Sequence, residues 1–308
     1  METGKKLIKR VGKEAGWQII ARTLASMKGN TPITTLHRRA ELMGRLGLLL
    51  VRSRRRVMRS NLSSVFPDWS EEGLNRTADE VVRTICHGFV DLFYYAYHPH
   101  RLPPIVRLEK NGVLEDIASS GRGCILATGH VGLFPLLGYP MVARGMPFGP
   151  IARDFHDERV TEIFDMARSR IGFTSIPDRP PMTTLKRALQ VLRKGGGVMI
   201  AFDMHPADSP AIEVNFLGRP TPMFSTVVRL AARTGLPLVR GSVLREADGM
   251  HYRVTYNPPI DVPPEAANED SPLTGEILQD LADWLSDTIR NNPEQYWWIH
   301  RRWRGPSS

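Results

Sequence analysis

Apolar positions change their spacing about a third of the way along the chain. Before residue 105 they recur at helical intervals, over Gly16 to Met27, Leu36 to Leu50 and Glu71 to about Tyr97, with Lys and Arg on the opposite faces of the first two. Ser70 ahead of Glu71 and Glu72 predicts an N-cap with acid in the first turn, and Pro99, Pro103 and Pro104 end the helical stretch. From Val106 short apolar runs alternate with helical segments. Cys124 to Thr128, Pro147 to Ala152, Gly197 to Phe202, Leu236 to Val243 and His251 to Tyr256 read as strands; Glu158 to Ile171, Thr183 to Lys194, Ser225 to Thr234 and Leu273 to Asn291 read as helices. The pattern predicts an α/β fold, a mostly parallel central sheet flanked by helices with a helical N-terminal region in front, divided into residues 1–104 and 105–308.

Open α/β sheets bind ligands beyond the carboxyl ends of their strands. Three predicted strands end on His130, Arg153 and Asp203, so one crevice is expected to receive an imidazole, a guanidinium and a carboxylate. A lone His at a strand end often does no more than cap it. Its place in Thr-Gly-His-Val-Gly after a buried run favours chemistry, with Gly129 and Gly132 expected to let the backbone approach a substrate. Acyl transfer to a hydroxyl needs a base for the hydroxyl proton and a donor or cation for the developing oxyanion, which this trio would supply.

Charge adds a second expectation. The 308-residue chain carries a formal net charge of +9 and is 42% hydrophobic, which favours an anionic partner. No nucleic-acid motif appears, and the basic residues flank apolar runs, which points to an anionic membrane surface. Arg52, Arg54, Arg55 and Arg56, with Arg59, follow the apolar run Leu46 to Val51 and are the predicted membrane contact; a solvated helix face is the plainer alternative. No run reaches the roughly 20 apolar residues of a spanning helix, and Met1 to Arg10 is basic without a following apolar run, so neither a span nor a secretory signal is expected. Cys86 and Cys124 lack any paired spacing, and Asp203-Met-His205 has no third ligand nearby, so no metal is expected. In the closing Trp297-Trp298-Ile-His-Arg-Arg-Trp-Arg run, Trp303, Arg301, Arg302 and Arg304 suit a head group or an interface. Trp297 and Trp298 suit that or core packing equally, and His300 is a weaker site candidate. Phe93, Tyr94, Tyr95 and Tyr97 suit either the core or an acyl groove.

Ala127-Thr-Gly-His-Val-Gly-Leu-Phe-Pro-Leu-Leu-Gly138 resembles the signature of bacterial lipid A late acyltransferases and the related phosphatidylinositol mannoside acyltransferases, within the lysophospholipid acyltransferase superfamily. Similar blocks stand in the expected order, Arg54 to Pro67 before it and Leu189 to Asp203, Asn215 to Pro220, Leu230 to Pro237 and Gln295 to Trp303 after it, so the likeness covers about residues 38 to 304. It implies a peripheral enzyme on the cytoplasmic face of the bacterial inner membrane. It also implies transfer of a fatty acyl group from acyl carrier protein or acyl-coenzyme A to a membrane lipid or glycolipid, a lipid A-like acceptor first, without a cofactor. His130 would be the general base, with Asp203 and Arg153 beside it. Gly129, Gly132, Arg168, Arg301 and Arg302 would be substrate contacts. One position departs. The family places an acid five residues after the His, and here that residue is Pro135. Either another acid serves, Asp203 first and Asp154 or Glu158 behind it, or the chain is a weakened or non-catalytic relative that binds lipid.

Overall fold

A computed structural model of the chain describes residues 14, 17–29, 31–50, 52–204, 211–300 and 302–303. Arg301, Arg304, His205 and the side chains of 46–53, Arg52 among them, lie outside the described residues. The helical region comprises α1 over 17–28, α2 over Ile33–Leu50, α3 over Arg52–Val65 and α4 over Glu71–Tyr97. The Ser70 side chain accepts the Gly73 N–H at 3.2 Å, Glu71 and Glu72 sit at the positive end of α4, and His98-Pro99 terminates it. Helix α3 is not among the helices that the apolar spacing predicts. Its buried stripe is narrow, chiefly Met58 and Leu62 one turn apart, amid arginines and serines.

The strands are β1 Val106–Leu108, β2 Cys124–Thr128, β3 Phe148–Ala152, β4 Ile176–Pro177, β5 Gly197–Ala201, β6 Ala211–Phe216, β7 Arg219–Phe224, β8 Leu238–Arg245 and β9 Tyr252–Tyr256. Seven form one sheet in the order β1-β9-β8-β2-β5-β3-β4. From β8 to β4 every pairing is parallel; β8–β9 is an antiparallel hairpin, so β9 and its parallel partner β1 run the opposite way. The expected mostly parallel sheet is present, with a reversed edge. Strands β6 and β7 form a separate ribbon. Its two-residue turn holds Leu217 at φ 56° and Gly218 at φ 86°, the paired positive angles that a tight hairpin needs.

The other helices are α5 Val113–Ser120, α6 Tyr139–Val142, α7 Glu158–Ile171, α8 Pro181–Leu192, α9 Thr226–Thr234 and α10 Pro272–Asn291. Alternation along the strands divides the core between the two sheet faces. Ile125, Ala127, Val198, Ile200 and Leu238 pack with α3, α8, α9, α10 and the first half of α4. Cys124, Leu126, Met199, Val239 and Val243 pack with the second half of α4, α5 and α7. Helix α4 contributes to both clusters. At its middle, where Gly88 comes close to Leu133 and the Phe89 ring meets Trp297, it lies against the turn that follows β2. Residues on both sides of 104/105 thus share each cluster.

Candidate active site

Strand register brings an imidazole and a carboxylate together. Thr128 is the partner of Ala201 in the β2–β5 ladder, and the Phe202 N–H donates to the Thr128 carbonyl at 3.0 Å. His130 and Asp203 each lie two residues past that pair, at the same parity and on adjacent strands. Asp203 Oδ1 is 2.7 Å from His130 Nδ1, and Asp203 Oδ2 accepts the His130 backbone N–H at 3.2 Å. The carboxylate is fully buried, whereas 17% of the His130 side chain remains exposed.

Two further donors complete the carboxylate's shell. Tyr296 Oη donates to Oδ2 at 2.9 Å, and Arg302 Nη2 donates to the same oxygen at 2.9 Å while also meeting Tyr296 Oη. Burial alone would raise the Asp203 pKa. The attraction of His130 and of the Arg302 guanidinium, with the two hydrogen bonds from His130, outweighs it and holds the carboxyl well below the usual carboxylate range. Asp203 is therefore ionised. An ionised carboxylate at Nδ1 fixes that nitrogen as the N–H bearer and leaves Nε2 as the free acceptor.

Aromatic rings wall the imidazole. Phe134 stands 4.7 Å away, Trp297 5.6 Å and His300 5.8 Å, centroid to centroid. Burial, then the nearby His130 and Arg302, lowers the His300 pKa to about 4, so this second imidazole is neutral; its Nε2 has no hydrogen-bond partner among the described residues. From Trp297 the rings continue between α4 and α7 through Phe89 and Phe164 to Phe155, which is 45% exposed, with Phe93 edge-on against Phe164. Phe93 belongs to this wall. Tyr94 instead meets Tyr95, His98 and Arg101, and Tyr97 lies under Lys28 and Arg170.

The remaining predicted site residues take other places. Arg153 follows β3 at the same sheet edge, two strands from β2, but it is exposed and pairs with nothing among the described residues, so the expected trio reduces to a pair with Asp203. Arg302, a predicted substrate contact, is 3% exposed and spent on Asp203. Gly129 and Gly132 admit the chain itself where a substrate was expected. A Cβ on Gly129 would come within 2.6 Å of Leu285, and one on Gly132, at φ 57°, would run into the Val243 carbonyl. Arg168 bonds Asp165 at 2.8 Å and covers the Phe164 ring at 5.9 Å. Arg54 donates to the Ile299 carbonyl at 3.2 Å, Arg59 pairs with Glu71, and Arg55 and Arg56 are exposed without partners among the described residues. Asp154 is exposed beyond β3, and Glu158 opens α7. Trp298 is buried core. Among the described residues, Glu246, Asp248 and His251 are close enough to share a cation, but Glu246 already pairs with Arg107 and Arg253, and Asp248 with the Met250 and His251 N–H groups.

Sequence reasoning overlooked Tyr296. The local signal was alternation: Tyr296 and Trp298 point inward and Trp297 does not, as in a strand, and Tyr296 forms an isolated antiparallel bridge with Val131.

Against known proteins, the chain is 26% identical over 194 residues to the phosphatidylinositol mannoside acyltransferase of Mycobacterium tuberculosis H37Rv, covering 62% of this chain and 57% of that protein. It is 27% identical over 188 residues to the protein of the same name from Mycolicibacterium smegmatis, covering 60% and 58%. The chain thus spans a little over half the length of these two relatives. With the lipid A biosynthesis lauroyltransferase of Escherichia coli K12 it shares 23% identity over 278 residues, covering 89% of this chain and 86% of that protein. The family described as bacterial lipid A biosynthesis acyltransferase matches residues 14–305, a span that takes in the His130 turn, Asp203 and the closing Tyr296–Arg302 segment. A match of that extent makes this chain a member of the bacterial lipid A biosynthesis acyltransferase family.

Proposed function

We propose that this protein transfers a fatty acyl group from a thioester, on acyl carrier protein or coenzyme A, to a hydroxyl of a membrane glycolipid, with His130 as general base. The carrying observation is the 2.7 Å contact of Asp203 with His130 Nδ1 beneath a partly exposed ring. In this reading Nε2 takes the acceptor's hydroxyl proton as its oxygen attacks the thioester carbonyl. The tetrahedral intermediate then expels the thiolate, and the imidazolium returns the proton to sulfur. Asp203 holds the tautomer and stabilises the imidazolium; Tyr296 and Arg302 hold Asp203. The rings from Trp297 to Phe155 give an alkyl chain an apolar wall beside the base. Arg153, exposed beyond β3 and without a partner among the described residues, is left to meet substrate charge, and Arg168 stiffens the wall at Phe164.

The relatives' names favour a glycolipid acceptor, and a lipid A-like disaccharide is the first of that class to test, a mannosylated phosphatidylinositol the second. Pro135 does not count against turnover in this reading, because a carboxylate already occupies Nδ1. No helix among the described residues is long and apolar enough to cross a membrane. The placement we propose is peripheral, on the cytoplasmic face of the bacterial inner membrane, with Arg54, Arg55 and Arg56 toward anionic lipid. The test is His130→Ala with labelled acyl-carrier-protein and acyl-coenzyme A donors against both glycolipids. Turnover should fall by roughly 10³-fold or more; a variant as fast as the unaltered protein removes His130 as base.

A further inference from the structure

The His130 turn is held from below by a group that the proton-transfer scheme does not use. The Gly132 N–H donates to the Gln295 carbonyl at 2.7 Å, and the Leu133 N–H donates to the Val243 carbonyl at 2.9 Å. The turn therefore hangs on two separate segments, the closing one and β8. Gln295, itself buried, ties these two together. Its side-chain Oε1 accepts the Arg245 N–H at 2.8 Å, and its Nε2 donates to the Arg245 carbonyl at 3.0 Å. A primary amide carries its acceptor oxygen and its donor nitrogen side by side on two atoms, which lets it satisfy a backbone N–H and C=O of the same residue at once. Two residues on from Gln295, the Trp297 N–H donates to the His130 carbonyl at 3.1 Å, so the peptides flanking Val131 are fixed by the Gln295 carbonyl and the Trp297 N–H.

Arg245 is in turn immobilised. Its guanidinium pairs with the buried Asp91 of α4 and with Tyr252, and Asp91 takes His37 of α2 at 2.6 Å on its other oxygen. A buried ion pair adds little net stability over an apolar replacement but can fix register, since a charge displaced from its partner inside the protein is costly. Here the register fixed is that of β8 at Arg245, two residues beyond the Val243 carbonyl that holds Leu133.

We infer that Gln295 is a positioning residue for His130, locking the Gly-His-Val-Gly turn to the end of β8, with the Asp91–Arg245 pair as its anchor in α4. This rests on the acyl-transfer reading for its kinetic consequence only. The molecule supplies a matched control: Gln279 on α10 makes the same double bridge to Asn215 of β6, at 2.8 and 2.9 Å, on an exposed ribbon edge away from the His130 turn.

The experiment compares Gln295→Met with Gln279→Met in the full chain. Each loses the two hydrogen bonds to a backbone donor and acceptor at near-constant volume, and Gln279→Met also loses a surface bond to Asp283. For Gln295→Met, kcat should fall between tenfold and roughly a hundredfold, the scale of an ångström-level misplacement, with KM for both substrates within twofold. Gln279→Met should leave kcat unaltered. In parallel, the downfield proton resonance of His130 Nδ1–H, assigned by its loss in His130→Gln, should weaken or disappear in Gln295→Met and persist in Gln279→Met. Asp91→Asn should repeat the Gln295→Met pattern more mildly, and an unaltered kcat and resonance there would remove the anchor. An unchanged kcat and resonance in Gln295→Met, or an equal loss in both glutamine variants, overturns the inference. Should the unaltered protein transfer no acyl group from either donor, the acyl-transfer reading fails, and the resonance alone decides the role of Gln295.

Discussion

Replacing Asp203 by Asn separates orientation of His130 from the stability of its surroundings. The substitution keeps shape and removes charge from a site that accepts four hydrogen bonds, from the His130 ring, the His130 backbone, Tyr296 and Arg302. An amide has one acceptor oxygen and two donors, so it cannot serve all four. Arg302 and Tyr296 both point at Oδ2, which fixes the amide oxygen on their side and turns the NH2 toward His130 Nδ1. The imidazole must then accept at Nδ1, which puts its proton on Nε2, the nitrogen that has to take up the acceptor's proton. The same exchange in a hydrolase triad lowers turnover by roughly 10⁴-fold, about 5.4 kcal/mol. Stability falls as well, because Arg302 is left buried without its counter-charge, a loss of about 3–5 kcal/mol. The two effects part in the double variant Asp203→Asn, Arg302→Met. Removing the stranded cation should return most of the urea-denaturation midpoint, while transfer of labelled acyl chains stays near the single-variant level. A single variant that keeps more than a tenth of the activity refutes the orienting role, and a double variant in which activity recovers along with stability assigns Asp203 to the scaffold alone.

Three further outcomes follow from the same geometry. Burial lowers His87 and His300 to about 4, so between pH 6.5 and 4 the unfolded chain binds protons that the folded one does not, and stability falls as pH is lowered through that window. Each contributes about 1–3 kcal/mol after allowance for partial solvent contact; His300→Gln should flatten the urea midpoint against pH there, and an unchanged slope contradicts the burial argument. Below about pH 4 the depressed Asp203 carboxyl acts in the same direction, because the unfolded carboxyl protonates first. Pro135→Glu, which restores the family's acid, should change turnover by less than about threefold, since His130 Nδ1 already has its carboxylate; a large gain in kcat marks the chain as a weakened relative. Neutralising the exposed pair Arg55 and Arg56 to Gln should weaken binding to anionic vesicles by about 1 kcal/mol each in a sedimentation assay, and salt should abolish the difference; unchanged binding moves the membrane face elsewhere.

What the sequence disclosed, and what it withheld, divides by the range of the interaction that decides each feature. His130 and Asp203 were legible because each ends a buried run, and the ends of buried parallel strands meet at one edge whatever the connections between them. The Ser70 cap was legible because all its partners lie within three residues. Arg302 was visible as a charge but its role was not. It reaches Asp203 across 99 residues of sequence, and nothing local distinguishes a guanidinium that will be buried from its neighbours in an Arg-rich tail. Gly129 and Gly132 were legible as positions that need close approach, yet glycine spacing cannot say whether a substrate or a strand approaches; here it is Leu285 and the β8 backbone. Helix α3 was lost in its own arginines, since the two buried apolar side chains among its described residues, Met58 and Leu62, give little periodic signal.

The substitution at position 135 shows what kind of constraint the site obeys. An acid five residues after a histidine sits in the same turn, and its reach depends on local backbone alone. Asp203 depends instead on ladder register, Thr128 opposite Ala201, together with the parity that carries both chains two residues further on the same side. A slip of one residue in the β2–β5 pairing would turn the carboxylate to the far face and leave His130 without a partner. Buried runs on both strands, Ile125 and Ala127 against Val198 and Ile200 on one face and Leu126 against Met199 on the other, oppose that slip, because it would exchange every one of these side chains between core clusters. The hydrophobic core thus fixes the imidazole–carboxylate distance, and no contact from position 135 enters that geometry.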